Sequence, residues 1–163
     1  MAGRRSTGVL THSVLDRVAG TGEGNERPSS LAIRVDDLRQ AVRRDLEWLL
    51  NSRRVLGEDY DGLTEVQTSH LAFGLPDLSP YSRSSAFDSR ELCVLIERAI
   101  STFEPRLVKG TVKVEFVKSD RVDDFAMRFR IRGLLHVEPI TEPVTFDTAL
   151  DPNNGSMKVE ATE

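Results

Sequence analysis

The chain has 163 residues, of which 39% are apolar and 11 are glycine, a length and composition that fit one globular domain and leave too little for two. Lys and Arg number 22 against 26 Asp and Glu, so the formal net charge of -4 argues against a nucleic-acid binder that depends on bulk attraction to phosphate. Cys93 is the single cysteine, which excludes an intrachain disulfide and a thiolate metal cage.

No stretch of the sequence is long and apolar enough for a signal peptide or a membrane span. Arg4 and Arg5 are followed only by the apolar pair Val9 and Leu10, whereas a signal peptide needs about 7 to 15 apolar residues and a spanning helix about 20. We therefore predict a cytoplasmic protein without direct membrane insertion, which reaches a membrane only through other proteins.

Residues 1–34 are predicted to be a flexible N-terminal segment. Residues 13–19 form an amphipathic stretch that is too short to be a stable helix in isolation. Residues 20–30 contain three glycines and one proline, and they cannot bury enough apolar surface to order themselves. The stretch at 13–19, with Leu15 and Arg17 as predicted contact residues, is therefore either a docking helix on a linker or a frayed first helix that packs on its own domain.

Two amphipathic helices are predicted in the domain at 35–163. From Asp36 onward, apolar residues recur every three or four positions over about four turns. A second such helix is predicted to begin near Asp88, with Glu91 completing a capping box. This helix ends about Pro105, because proline restricts the residue before it to extended geometry.

A compact turn at 73–79 separates the two helices. Gly74 can adopt the left-handed conformation that ends a helix, and Pro76 prevents the helix from resuming. His70 precedes this turn and has no second metal-type residue at i+4, so it is predicted to be a surface or core residue.

Alternating apolar and polar residues predict three or four strands in the last third of the chain. The strands are expected at 108–116, 125–136, 144–150 and, as a fragment, 157–161, with turns at 119–124, 139–143 and 153–155. Helices followed by strands indicate an α+β fold, in which N-terminal helices pack on a C-terminal antiparallel three- to four-stranded meander.

Glu104, Pro105 and Arg106 are the first candidate contact site. Proline fixes the backbone directly after the helix, so the acidic and basic side chains project from a rigid stub. They either form intramolecular ion pairs that join the helix to the sheet or bind a partner protein.

Arg128, Arg130 and Arg132 form a second candidate, a positive row on one face of the second strand. Such a row is ordinarily a solvated outer face. Strand charges can also guard an exposed sheet edge, to which a programmed partner strand can still add.

Five segments together resemble the TssE family of type VI secretion baseplate proteins, which is related to the small wedge protein of contractile phage tail baseplates. They are spread through most of the chain at 13–18 (SVLDRV), 44–54 (RDLEWLLNSRR), 73–79 (FGLPDLS), 103–107 (FEPRL) and 143–147 (PVTFD). One departure is visible before the turn, where family members tend to carry Leu-Asn-Tyr and this chain has Leu71, Ala72 and Phe73. This chain therefore lacks the amide and the phenol that those family members have before the turn, which weakens any functional role assigned to these groups.

The resemblance implies a structural subunit that works by binding proteins and needs no cofactor. It implies contacts with the wedge subunits TssF and TssG, the baseplate subunit TssK and the sheath proteins TssB and TssC, docked at the inner membrane through the assembled apparatus. Glu104-Pro105-Arg106 would grip the helical core bundle of the wedge subunits. Alanine at Glu104 or Arg106 is expected to leave a folded monomer that no longer supports sheath assembly. The strands would receive the first sheath ring.

Three other functions stay open. The chain could serve as the baseplate wedge protein of a phage-like contractile particle. A peptidoglycan-cleaving, lysozyme-like enzyme needs two carboxylates about 5 to 9.5 Å apart. Among 26 acidic residues some pair will always satisfy this distance, so the requirement does not discriminate. A nucleic-acid adaptor is disfavoured by the acidic balance and by the lack of aromatic residues among the arginines.

No catalytic, cofactor-binding or metal-binding residue is predicted. The three histidines, His12, His70 and His136, are scattered along the chain. No Gly-x-Ser-x-Gly elbow and no phosphate-binding loop occurs. The sequence therefore favours a binding protein over an enzyme.

Overall fold

A computed structural model describes residues 35–54, 62–78, 80–81, 85–118, 126–137, 140–151 and 155–162. The predicted segment 1–34, including Leu15 and Arg17, lies outside the described residues, as does the predicted turn at 119–124. The described elements are helices in the first part of the chain followed by a four-stranded antiparallel sheet, and the predicted α+β fold is confirmed.

Helix α1 spans Val35–Asn51 and confirms the first predicted helix. Its apolar positions recur at helical spacing, so one face is buried against the sheet and the second long helix. The buried residues on that face are Leu38, Val42, Leu46, Leu49 and Leu50.

Between the long helices lie a short helix α2, Thr64–Gln67, and a 3-10 helix, His70–Ala72. Gly74 follows with φ of +107°, as predicted. A Cβ on this glycine would lie 2.4 Å from the Ser52 carbonyl oxygen, so the close approach of the turn to α1 also requires glycine. Hydrogen bonds from Leu75 N to Ser52 O (2.9 Å) and from Arg54 N to Leu75 O (2.8 Å) fix the turn to the end of α1.

Helix α3 spans Ala86–Phe103 and begins earlier than predicted. Ser85 is the N-cap, because its hydroxyl oxygen accepts from the Asp88 amide (3.1 Å), while the same hydroxyl donates to the Asp88 carboxylate (2.8 Å). The predicted pairing of Asp88 with Glu91 was therefore wrong by one turn, since Asp88 is the third helical residue rather than the cap. The predicted end is confirmed, with Glu104 as the C-cap.

The sheet contains β1 (Lys113–Val117), β2 (Met127–Val137), β3 (Ile140–Leu150) and β4 (Met157–Thr162), in that order. All neighbours are antiparallel, so the predicted meander is confirmed. β1 is shorter than predicted because Gly110, with φ of +79°, lies in a turn, and only an isolated bridge between Leu107 and Leu135 precedes the strand.

The prediction of a connection at 139–143 was also wrong, because Pro143 lies inside β3 and is paired with Leu134. Proline is tolerated in a strand where its nitrogen faces an open edge. β4 reaches only as far as Thr145, so Pro143 has a described neighbouring strand on one side alone.

The core lies between one face of the sheet and helices α1 and α3. Alternate residues of each strand point into it, and Phe129 and Phe146 are the largest fully buried side chains. The intervening residues form an outer face, on which each of the four strands places at least one charged side chain. Among the described residues, no helix combines the length and the apolar character that a membrane crossing requires.

Candidate functional site

Glu104, Pro105 and Arg106 form a rigid junction between α3 and the sheet. The Glu104 amide still donates to the Ile100 carbonyl of α3 (2.9 Å), whereas the Arg106 carbonyl already accepts from the His136 amide of β2 (2.8 Å). Pro105, which lies between them, is exposed and has a fixed φ. The triplet is therefore anchored at both ends, with the proline at the surface.

The two charged side chains of the junction bind each other. Arg106 Nε and Nη2 donate to the two Glu104 carboxylate oxygens at 2.7 and 2.6 Å, and the Arg106 amide adds a bond of 3.1 Å. Arg106 Nη2 also donates to Asp45 Oδ2 of α1 at 2.6 Å. The intramolecular ion pair that the sequence left open is therefore formed, and it includes a third residue, Asp45. We call Asp45, Glu104 and Arg106 the junction triad.

The junction triad is partly withdrawn from water. Glu104 is 4% exposed and the Arg106 side chain 23%. Burial opposes the charge of the guanidinium, but the hydrogen bonds and charges of Glu104 and Asp45 raise the pKa of Arg106 above its ordinary value. Arg106 Nη1 is buried and has no hydrogen-bond partner within the described part of the chain.

This burial changes the expectation for the alanine variants. Removing Glu104 would leave a partly buried guanidinium with one carboxylate instead of two, and the loss of one member of a buried ion pair is strongly destabilising. Alanine at Glu104 is therefore a test of folding as well as of binding, and exposed residues beside the triad are cleaner probes of partner contacts.

An apolar hollow of about 420 Å³ opens beside the junction triad. Besides the triad and Pro105, it is lined by Trp48, Leu49, Phe73 and Phe103. The Phe73 and Phe103 rings meet edge to face with centroids 5.4 Å apart, which holds the wall formed by the turn against the end of α3. Trp48 is 55% exposed, and the Arg44 guanidinium lies 5.7 Å from its ring centroid. The hollow thus combines aromatic surface with an adjacent charge cluster.

The arginine row lies elsewhere, on the outer face of β2. Arg130 donates to both Asp147 carboxylate oxygens across the β2–β3 pair, at 2.7 and 3.2 Å. Arg132 donates to Glu115 of β1 at 3.1 Å, and Arg128 is exposed. The Arg130 hydrogen bonds lower the pKa of Asp147 below its ordinary value. The row is therefore part of a mixed-charge face that lies apart from the hollow.

Sequence reasoning located the triplet but missed its surroundings. Asp45 and Trp48 lie on α1, far from the triplet in sequence, and Phe73 lies in the turn. Trp48 did leave a signal, because it is the only tryptophan and falls between the buried positions of the α1 stripe rather than on them. Nothing in the sequence shows that Asp45 reaches Arg106.

Glu47 and Glu104, two carboxylates that a glycosidase could use, are both engaged in ion pairs with arginine. Both Glu104 oxygens accept from Arg106, and Glu47 accepts from Arg43 at 3.0 Å. Within the described ranges, no group of three or more His, Cys, Asp or Glu side chains could hold a metal ion.

A rigid junction beside an exposed aromatic hollow has residues that are enriched at protein–protein interfaces, namely aromatic side chains and arginine. The family model described as baseplate wedge protein gp25 matches residues 36–140, more than half of the chain, and the chain belongs to this family. The resemblance to TssE is confirmed at this level, because TssE is the type VI homologue of gp25. A structural role in a phage-like baseplate follows. No curated protein and no solved structure matches the chain significantly.

Proposed function

We propose that this chain is the TssE-type baseplate subunit of a type VI secretion system. In this role it joins the wedge subunits TssF and TssG to the first ring of the TssB–TssC sheath, within a baseplate that also contains TssK. It would work in the cytoplasm and reach the inner membrane through the assembled apparatus. The family match supports the baseplate role, and the five sequence segments support the type VI assignment.

The observation that carries the wedge contact is the hollow beside the junction triad. Exposed aromatic and proline surface next to a fixed charge cluster is the composition of an interface core, where tryptophan and arginine contribute most of the binding energy. A helix of the wedge core bundle could place apolar residues at i, i+3 and i+4 spacing against Trp48 and Phe103. The triad would then lie beside polar groups of the same helix.

The sheath contact is assigned to the C-terminal strands, with the outer face that carries Arg128, Arg130 and Arg132 close to it. Cross-strand ion pairs at 2.7 Å (Arg130–Asp147) and 3.1 Å (Arg132–Glu115) join neighbouring strands across this polar face. Such a face stays soluble before assembly and can support a sheet to which sheath strands add.

The wedge contact can be tested with purified proteins. We expect Trp48→Ala to weaken binding of the full chain to a TssF–TssG complex by a factor of about 10 or more, as for a central interface tryptophan. Val94→Ala is the matched control, because Val94 is a 60% exposed apolar residue on α3 that does not line the hollow. Its affinity should equal that of the wild type.

Isothermal titration calorimetry gives the affinities, and circular dichroism shows whether both variants are folded. Equal affinities for Trp48→Ala and the wild type would remove the hollow from the wedge contact. A wild-type chain that fails to bind TssF–TssG at all would remove the type VI assignment and leave the baseplate role to another contractile particle.

A further inference from the structure

Strand β4 is the last strand of the sheet, and one of its edges has no neighbouring strand among the described elements. An edge strand presents unpaired N–H and C=O groups, to which another chain can add a strand. In this protein, side chains of helix α1 form hydrogen bonds with three of those backbone groups.

Asn51 binds the backbone of Met157 in the way a neighbouring strand would. Its Nδ2 donates to the Met157 carbonyl at 2.7 Å, and its Oδ1 accepts from the Met157 amide at 2.8 Å. The same Nδ2 donates to the Glu47 carbonyl at 2.7 Å, which ties the amide to the end of α1. Two residues further along β4, Arg43 Nη1 donates to the Val159 carbonyl at 3.2 Å. Arg43 and Asn51, two turns apart on α1, thus follow the edge together, and we call this pair the edge latch.

The edge that the latch covers is complementary to itself. Because Met157 turns both backbone groups away from β3, the alternation of the ladder places the groups of Val159 and Ala161 on the same side. If two β4 strands paired antiparallel about Val159, Lys158 of each copy would lie directly opposite Glu160 of the other. Both side chains are exposed on the outer face, and within one chain they form an ion pair of 2.9 Å. Opposite charges in direct cross-strand positions stabilise such a pair.

We propose that the edge latch, Arg43 and Asn51, keeps β4 from pairing antiparallel with β4 of a second copy of this chain. The latch satisfies both backbone groups of Met157 and the carbonyl of Val159 within the molecule, so a second copy would have to replace these hydrogen bonds before its own could form. The subunit then stays monomeric until it meets its assembly partners. This inference does not depend on which contractile machine the chain serves.

The first test releases the latch. We expect the double variant Arg43→Ala, Asn51→Ala to form a dimer at concentrations where the wild type is a monomer, as measured by light scattering after size-exclusion chromatography of the full chain. Thr102→Ala is the matched control. Thr102 also bonds a carbonyl in the last turn of a long helix, Arg98 O at 2.8 Å, without contacting a strand edge.

The second test reverses charges on the released edge. In the double variant, adding Lys158→Glu places two glutamates opposite each other and should abolish the dimer. Adding Glu160→Lys as well restores opposite charges and should restore it. Both positions are exposed on the outer face, so these changes leave the core unaltered.

Amide exchange gives a measurement that does not require the double variant to be stable. In Asn51→Ala alone, at low protein concentration, the Met157 amide should exchange at least about tenfold faster than in the wild type, because its acceptor is removed. The latch is refuted by a released variant that stays monomeric, by a wild type that already dimerises through this edge, or by unchanged exchange at Met157. A dimer that persists after the Lys158→Glu substitution refutes the pairing about Val159.

Discussion

The junction triad and the arginine row both use arginine and carboxylate side chains, but in different surroundings. At the junction, Arg106 reaches carboxylates of two elements and Glu104 is almost completely buried. On the outer face, Arg130 and Asp147 are each more than one-third exposed and join two neighbouring strands. The same chemical pair therefore fixes the position of two elements in one place and covers a solvated surface in the other.

Burial decides how much each arginine matters. Water screens an exposed pair and offers both partners alternative hydrogen bonds, so its removal changes stability little. A buried pair has no such alternative, and the loss of one partner leaves an uncompensated charge. A count of ion pairs would treat the two regions as equal, whereas substitutions in each region measure how much each contributes to stability.

The largest effect is expected at the junction. Glu104→Ala should lower the free energy of unfolding by about 3 to 5 kcal/mol, because Arg106 stays partly buried with only Asp45 as its partner. Urea denaturation followed by circular dichroism measures this loss. The double variant Glu104→Ala, Arg106→Met should recover part of the stability, since the unpaired charge is removed. A loss below about 1 kcal/mol in the single variant would show that the triad contributes no more to stability than an exposed ion pair does.

A smaller effect is expected on the outer face. Arg130→Ala should shift the urea midpoint only slightly, because the pair with Asp147 is exposed and Asp147 keeps a hydrogen bond of 2.9 Å from Thr162. Arg132→Ala is the control, since its pair with Glu115 is exposed still further. If Arg130→Ala destabilised the protein as much as Glu104→Ala, the contrast between the two regions would be wrong.

The smallest effect concerns pH. The hydrogen bonds from Arg130 lower the pKa of Asp147 in the folded protein below its ordinary value of 3.8. A carboxylate with a depressed folded pKa stabilises the protein above the unfolded pKa, and this contribution disappears as the pH falls through the folded pKa.

Asp147→Asn should therefore be slightly less stable than the wild type above about pH 5, and the difference should shrink toward zero below the unfolded pKa. Urea denaturation of both proteins across this range measures the difference. A gap that stays constant with pH would show that the ionisation of Asp147 does not contribute.

Much of the fold could be predicted because the signals are local. Apolar residues at helical spacing located α1, alternation located β2, β3 and β4, and Gly74 marked a left-handed turn. Three element boundaries were wrong, and two of them depended on more than local pattern. Ser85 rather than Asp88 caps α3 because the backbone is extended at Ser85 and its side chain accepts from the Asp88 amide. Pro143 fits into β3 because β4 ends before reaching it.

The sequence by itself determined which segments become helices and strands and where proline makes the helix-to-sheet junction rigid, since these depend on residues close together in the chain. Only the tertiary structure decided which charges meet. Asp45 and Arg106 are 61 residues apart, and Asn51 and Met157 are 106 residues apart. Both contacts depend on how α1 packs across the sheet, and the pattern of residues within α1 specifies its buried face but not the partners of its polar ones.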